Sequence, residues 1–149
     1  MIYSALLSLW LSMALTGSPA QWSFSAVQRT DGLVELHCQA TLEEGWHVYA
    51  TKLPSDQGPI ATTIQLKDPE AFTLVSLQEP PPVEEYDPNF AMVVRHHSGS
   101  PRFVLVLKPN TKGPLVVEGE VEYMLCNDKT CLPPVGVPCK VVVDTEPKK

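Results

Sequence analysis

Two cysteines separated by four polar residues are the part of this sequence whose residue types and spacing best suit chemistry. Cys126 and Cys131 enclose residues 127–130, Asn-Asp-Lys-Thr, and a strand pattern over residues 115–125 leads into them. Asn and Asp side chains favour turns because they hydrogen-bond their own backbone and tolerate unusual φ values. The chain is therefore predicted to reverse here and to bring the two sulfur atoms together.

Such a pair is either a structural clip or a redox-active disulfide. In the chain-entropy model, a closed loop of about six residues stabilises a protein by only about 2 kcal/mol, against about 4.7 kcal/mol for a loop of about 100 residues. Pro133 and Pro134 donate no backbone N–H, so they favour an edge or a loop where a partner thiolate can reach a sulfur atom. The spacing by itself favours the clip, since it is not the Cys-x-x-Cys redox motif.

The N-terminal residues indicate export. Residues 1–20 are predicted to be a signal peptide, because an apolar run too short to span a bilayer precedes small residues and a cleavage site after Ala20. Its first residues lack Lys and Arg, so an uncleaved anchor or a misassigned start codon stays open. Residues 21–145 would form one exported domain and residues 146–149 a flexible tail. Export places the cysteines in an oxidising compartment, where disulfides persist.

The rest of the chain predicts an all-β, immunoglobulin-like sandwich. Fifteen prolines and eight glycines separate short runs rich in Val, Leu, Thr and Phe, without a helical period. Apolar and polar residues alternate over residues 34–42, so Cys38 is predicted to face a core. About eight or nine strands at this spacing are typical of an immunoglobulin-like fold. The net charge of −6 disfavours nucleic acid as a partner.

Three expectations concern the middle of the chain. Residues 79–89, which are rich in proline and acids, are predicted to be a loop with little structure. Residues 90–95 and 103–107 are predicted to form a strand pair. Residues 96–97, His-His, are predicted to be a surface pair rather than metal ligands, and we expect neither a metal nor a cofactor.

The other two cysteines, Cys38 and Cys139, both fall on inward positions of predicted strands. They are interpreted either as buried free thiols, which behave as small hydrophobes, or as a second disulfide. That disulfide would close a loop of about 100 residues and would stabilise the domain strongly. In both cases Cys126 and Cys131 remain the candidates for chemistry.

The sequence resembles the N-terminal periplasmic domain of the thiol:disulfide interchange protein DsbD, most closely in its Bacteroidetes-type form. The matching blocks are residues 123–134, Tyr-Met-Leu-Cys-Asn-Asp-Lys-Thr-Cys-Leu-Pro-Pro, residues 45–49, Gly-Trp-His-Val-Tyr, and the loop that ends in Asn89 and Phe90. The resemblance implies a periplasmic immunoglobulin-like domain that receives electrons from the membrane-embedded part of DsbD. It would pass them to thioredoxin-like partners such as disulfide isomerases or cytochrome c maturation thioredoxins.

The resemblance also assigns roles to residues. Cys131 would form the mixed disulfides with partners, and Cys126 would resolve them. A lid over residues 84–90 would cover the pair with the ring of Phe90 or Tyr86. His47 and Tyr49 would line the same site, although an aromatic ring is usual where this chain has His47, and the original pattern has five residues between the cysteines rather than four.

Two other functions fit parts of the sequence. One is a non-enzymatic exported immunoglobulin-like binding module with structural disulfides. The other is a cupredoxin-type copper site built from Cys126, Met124 and one of the histidines at residues 96–97. A copper site needs two His, a thiolate and a weak axial Met. No His follows the cysteine in its own loop, so the sequence disfavours copper.

Overall fold

The computed structural model describes residues 17–145. Most of the predicted signal peptide and all of the predicted tail lie outside these residues, so both stay predictions. The first strand, β1 (Ala20–Gln28), begins at the residue after which cleavage is predicted, and it pairs Ala20 with Leu42. In the part of the chain that is described, no helix has the length and hydropathy needed to cross a membrane.

Within the described residues, antiparallel strands account for the whole fold, as the sequence predicted. After β1 they are β2 (Val34–Leu42), β3 (His47–Tyr49), β4 (Thr63–Leu66), β5 (Phe72–Gln78), β6 (Val83–Asp87), β7 (Met92–Ser98), β8 (Arg102–Pro109), β9 (Pro114–Tyr123), β10 (Leu125–Cys126) and β11 (Val135–Asp144). The first sheet has the order β1–β2–β8–β5, the second β10–β3–β7–β6 and the third β11–β9–β4.

The core lies between these sheets, and strand β2 shows how the sequence builds it. Its alternate side chains are buried, from Val34 through Cys38 to Leu42, which confirms the predicted alternation. They pack against inward residues of β8 and of the third sheet, such as Leu105 and Val117. Because each fully buried Val or Leu contributes about 1.5–3 kcal/mol, this alternation fixes which face of each strand points inward.

The predicted loop over residues 79–89 is wrong in its second half, where β6 forms an edge strand. It pairs with β7 alone, from Val83 opposite His96 to Asp87 opposite Met92. An edge strand has one unpaired side and an exposed face, so it accepts acids and follows prolines readily. Because this segment is rich in prolines and acids, its polarity predicted a loop instead of a strand.

The predicted pairing of β7 with β8 is also wrong, although both strands exist. Strand β7 lies between β3 and β6, and β8 lies between β2 and β5, so the chain changes sheet between them. The connection is held by β2, because Leu42 N–H donates to the Gly99 carbonyl at 2.8 Å and Ala40 N–H to the Pro101 carbonyl at 3.0 Å. The alternation of each strand predicted its existence but carried no information about its partner.

Cys38 and Cys139 are buried free thiols in the structure, not a disulfide. Burial, with a smaller effect of Cys139, raises the pKa of Cys38 to about 12, and burial raises the pKa of Cys139. Since the thiolate is the reactive form, we expect neither thiol to react with iodoacetamide at pH 8 in the folded domain. Both should be labelled after unfolding in guanidinium chloride, as read by peptide mass. Labelling of Cys38 in the folded domain at the rate of a free thiol would contradict this.

Candidate functional site

The cysteine turn brings the two sulfur atoms together, as the sequence predicted. Cys126 and Cys131 are joined by a disulfide and form an antiparallel bridge across the turn. The side-chain oxygen of Asn127 accepts hydrogen bonds from the backbone N–H groups of Lys129 at 2.9 Å and Thr130 at 2.8 Å. Asn127 N–H also donates to the Thr130 carbonyl at 2.9 Å. These hydrogen bonds fix the backbone of the turn between the two cysteines.

The two cysteines differ in exposure. Cys126 ends β10, the edge strand of the second sheet, and is fully buried. Cys131 lies beyond the turn and is partly exposed. A thiolate that attacks a disulfide must reach one sulfur atom in line. Access from solvent therefore favours attack at Cys131, while Cys126 is shielded.

The buried side of the disulfide faces a small apolar cluster that is separate from the main core. Its buried members are Tyr49, Val94 and Cys126. Partly buried side chains pack around them: Leu53, Phe90, Met92, Met124 and Cys131. Strand register explains this grouping, because Cys126 lies opposite His47 on β3, and β3 lies beside β7.

Residues 84–90, which the sequence predicted to be a lid, contain two aromatic rings that differ in their packing. Phe90 packs on the apolar cluster, with its ring centroid 6.1 Å from that of Tyr49 in an edge-to-face arrangement. Tyr86 lies on the outer face of β6 and is 61% exposed. The side chain of Asn89 donates to the Asn127 carbonyl at 2.8 Å, so the turn before Phe90 is tied to the cysteine turn. Of the two candidates, only Phe90 lies against the disulfide cluster.

A buried polar network lies beside this cluster. The Tyr49 hydroxyl donates to Asp87 Oδ2 at 2.5 Å, and His47 Nε2 lies 3.3 Å from the same hydroxyl and 3.7 Å from Asp87 Oδ2. Burial, and then Asp87, raises the pKa of Tyr49 well above its ordinary value, so the hydroxyl keeps its proton and remains the donor. Asp87 Oδ1 accepts from Asn89 N–H at 2.8 Å, which fixes the turn that leads to Phe90.

His96 and His97 are not the surface pair that the sequence predicted, because both are almost completely buried in β7. Each meets a glutamate: His96 Nε2 lies 2.5 Å from Glu85 Oε1, and His97 Nε2 lies 3.0 Å from Glu79 Oε2. Strand β6 and the segment before it supply these carboxylates. Both glutamates lie in residues 79–89, which were predicted to be a loop with little structure, so these contacts were not expected.

The described residues do not form a metal centre. Over residues 17–145, no group of three or more His, Cys, Asp or Glu side chains is arranged to hold a metal ion. The sulfur atom of Cys126 is bonded to Cys131 rather than available as a thiolate ligand. The site therefore consists of a disulfide with ionisable side chains beside it.

Acid is expected to destabilise the domain through His47. Burial, followed by the adjacent His96, lowers the pKa of His47, and the nearby carboxylates of Asp87, Glu85 and Asp128 oppose this without reversing it. The unfolded chain therefore binds a proton below about pH 6.5 where the folded domain does not, so stability falls as the pH drops below that value. Urea unfolding between pH 5 and 7 should show this fall, and His47→Gln should reduce its slope. An unchanged slope in His47→Gln would contradict the assignment.

The structure brings together most of the residues that the sequence selected. Cys126, Cys131, Tyr49 and Phe90 share one cluster, and His47 is joined to it through Tyr49, whereas Tyr86 points away. Sequence reasoning missed further members of the polar network: Asp87, Glu85 and His96. The alternation of β6 and β7 was the available signal, but it was hidden by the assignment of residues 79–89 to a loop.

The fold and the site thus define a β-sandwich domain that carries a partly accessible disulfide beside a buried acid–base network. A family model for the N-terminal region of the thiol:disulfide interchange protein DsbD matches residues 13–140. Since this match spans most of the sequence, the chain belongs to the DsbD N-terminal domain family.

Two solved structures share the fold. The reduced DsbD N-terminal domain of Neisseria meningitidis is 14% identical, with a TM-score of 0.56, and the match covers 83% of this chain and 86% of that one. The N-terminal periplasmic domain of ScsB from Proteus mirabilis is 16% identical, with a TM-score of 0.59, and the match covers 87% and 47%. These likenesses confirm the immunoglobulin-like fold. A search of curated proteins found no significant match.

Proposed function

We propose that this chain is a periplasmic thiol–disulfide interchange domain that carries electrons on the Cys126–Cys131 pair. It would receive them from a membrane-embedded reductase domain and pass them to thioredoxin-like oxidoreductases. The observation that carries this proposal is the pairing of a partly exposed sulfur atom at Cys131 with a buried one at Cys126, in a domain of this family. The Cys131 sulfur atom is accessible to a partner, and the buried Cys126 sulfur atom is positioned to re-form the disulfide afterwards.

The exchange proceeds in two steps. The Cys131 thiolate attacks one sulfur atom of a partner disulfide; a bond forms between the two proteins, and the second partner sulfur leaves as a thiolate that takes up a proton. Cys126 then loses its proton and attacks the Cys131 sulfur. The Cys126–Cys131 bond forms, the intermolecular bond breaks, and the released partner thiolate is protonated. Two electrons and two protons pass to the partner. Reduction of the domain by its donor is the reverse sequence.

We propose the partners and the compartment by analogy with the family. The ScsB relative is a periplasmic domain, and we place this chain in the periplasm as well. Disulfide isomerases and cytochrome c maturation thioredoxins are the proposed acceptors, and a DsbD-type membrane domain is the proposed donor. The Bacteroidetes-type form suggested by the sequence gains no support from these matches, which come from Neisseria meningitidis and Proteus mirabilis, and it is not part of the proposal.

The test is a transfer assay with purified proteins. The reduced domain is mixed with an oxidised thioredoxin-like disulfide isomerase, the reaction is quenched with an alkylating agent, and the redox state of each protein is read by mass. We expect the isomerase to become reduced as Cys126 and Cys131 become oxidised, in equal amounts. If the isomerase stays oxidised while dithiothreitol reduces it readily, the domain is not an electron donor to this class.

A further inference from the structure

Two buried histidines stand side by side behind the disulfide. The rings of His47 on β3 and His96 on β7 have centroids 4.5 Å apart and are inclined by 36°. Both residues are at least nine-tenths buried. The exchange reaction described above gives His96 no role.

Each of the two histidine rings lies near a different carboxylate of β6. His96 Nε2 has a direct contact of 2.5 Å with Glu85, whereas His47 Nε2 lies 3.7 Å from Asp87, which already accepts hydrogen bonds from Tyr49 and Asn89. The Nδ1 atom of His96 is buried without a partner, so its contact with Glu85 is the one that holds a proton on this ring. Any positive charge on the His96 ring makes a second positive charge on the adjacent His47 ring unfavourable, because the two ring centroids are only 4.5 Å apart.

His47 is the member of the pair that stands next to the reacting sulfur atoms. It lies directly opposite Cys126 in the ladder between β3 and β10, and side chains at opposite positions are neighbours on one face. Cys126 is fully buried, so its thiol is shielded from bulk water as a proton acceptor. A neutral imidazole beside it can accept that proton, and a charged one cannot.

We propose that His96, held by Glu85, is a positioning residue that keeps His47 neutral, so that His47 accepts the Cys126 proton when a mixed disulfide is resolved. In that step the Cys126 S–H bond breaks, its proton goes to the unprotonated ring nitrogen of neutral His47, and the Cys126–Cys131 bond forms as the partner thiolate leaves. His47 then returns the proton to solvent or to the leaving thiolate. This inference rests on the proposed exchange function.

The first measurement is an NMR titration of the oxidised domain, which involves no electron transfer. In the unaltered domain we expect the pKa of His47 to lie below its ordinary value. In His96→Gln the pKa of His47 should rise by about one pH unit, the scale on which groups titrate as a coupled pair. The matched control is His97→Gln, since His97 is equally buried on the same strand but pairs with Glu79. It should leave the His47 titration unchanged.

The second measurement follows disulfide closure. Mixing the reduced domain with 5,5′-dithiobis(2-nitrobenzoate) releases one chromophore when Cys131 is attached and a second when Cys126 closes the disulfide. The rate of the second release should fall in acid as His47 becomes protonated, which gives an inflection in the pH–rate profile. This inflection should move upward by about one pH unit in His96→Gln and stay in place in His97→Gln.

The two measurements separate the possible failures. A His47 pKa at or above its ordinary value in the unaltered domain would overturn the inference without any variant. An inflection that stays in place in His96→Gln would also overturn it. Because neither measurement uses a protein partner, a domain that shows the shift but fails to reduce an isomerase would refute the proposed function and leave the acid–base role intact.

Discussion

Replacing Cys131 with alanine is expected to abolish mixed disulfides with thioredoxin-like partners, whereas Cys126→Ala is expected to accumulate them. Cys131 is the partly exposed sulfur, so its loss leaves only a buried thiol that a partner cannot reach. Without Cys126 the first step still occurs, but no second thiol is present to release the partner. Each reduced variant would be incubated with an oxidised partner and analysed by intact mass without reductant.

Cys38→Ala is the matched control for this pair of variants. It removes a thiol that is buried in the main core and whose pKa is raised to about 12, so it should exchange like the unaltered domain. An intermolecular disulfide at Cys126 in the Cys131→Ala variant would reverse the assigned roles of the two cysteines.

Phe90→Ala is expected to accelerate reduction of the Cys126–Cys131 disulfide by dithiothreitol, by roughly tenfold or 1.4 kcal/mol of activation free energy. The Phe90 ring packs on the cluster around the disulfide, so its removal opens that side to a small thiol. The measurement is the pseudo-first-order rate of reduction at pH 7, read by alkylation and mass.

Tyr86→Ala provides the matched control, since it removes an aromatic ring from the same segment. Tyr86 is 61% exposed on the outer face of β6, and the rate should stay within about twofold of the unaltered domain. Equal acceleration by both variants would point to general loosening of β6. No acceleration by Phe90→Ala would mean that the ring does not act as a lid.

Local chemistry explains what the sequence could predict about the fold. The alternation around Cys38 and the turn residues between Cys126 and Cys131 each determine structure over a few residues, and the structure agrees at both places. Pairing is different because it depends on distant segments. An alternating strand such as β8 can pair with β7 or with β2, so the sequence alone could not identify its true neighbour, β2.

The same reasoning applies to the site. The cysteines and Tyr49 could be selected by residue type and by the family resemblance. Asp87 could not, because a carboxylate among prolines and other acids is usually solvated. Only the register of β6 with β7 turns Asp87 inward, where it accepts the hydrogen bond from Tyr49. The burial of His96 follows from the same register.

The midpoint potential of Cys126–Cys131 tests the central claim most directly. The domain would be equilibrated in graded thiol–disulfide buffers at pH 7, trapped with an alkylating agent and read by peptide mass. We expect a midpoint between about −180 and −270 mV, the range of proteins that exchange electrons through disulfides. A midpoint below about −300 mV would identify a structural bridge. The chain would then be a binding module that keeps the family's fold without its exchange function.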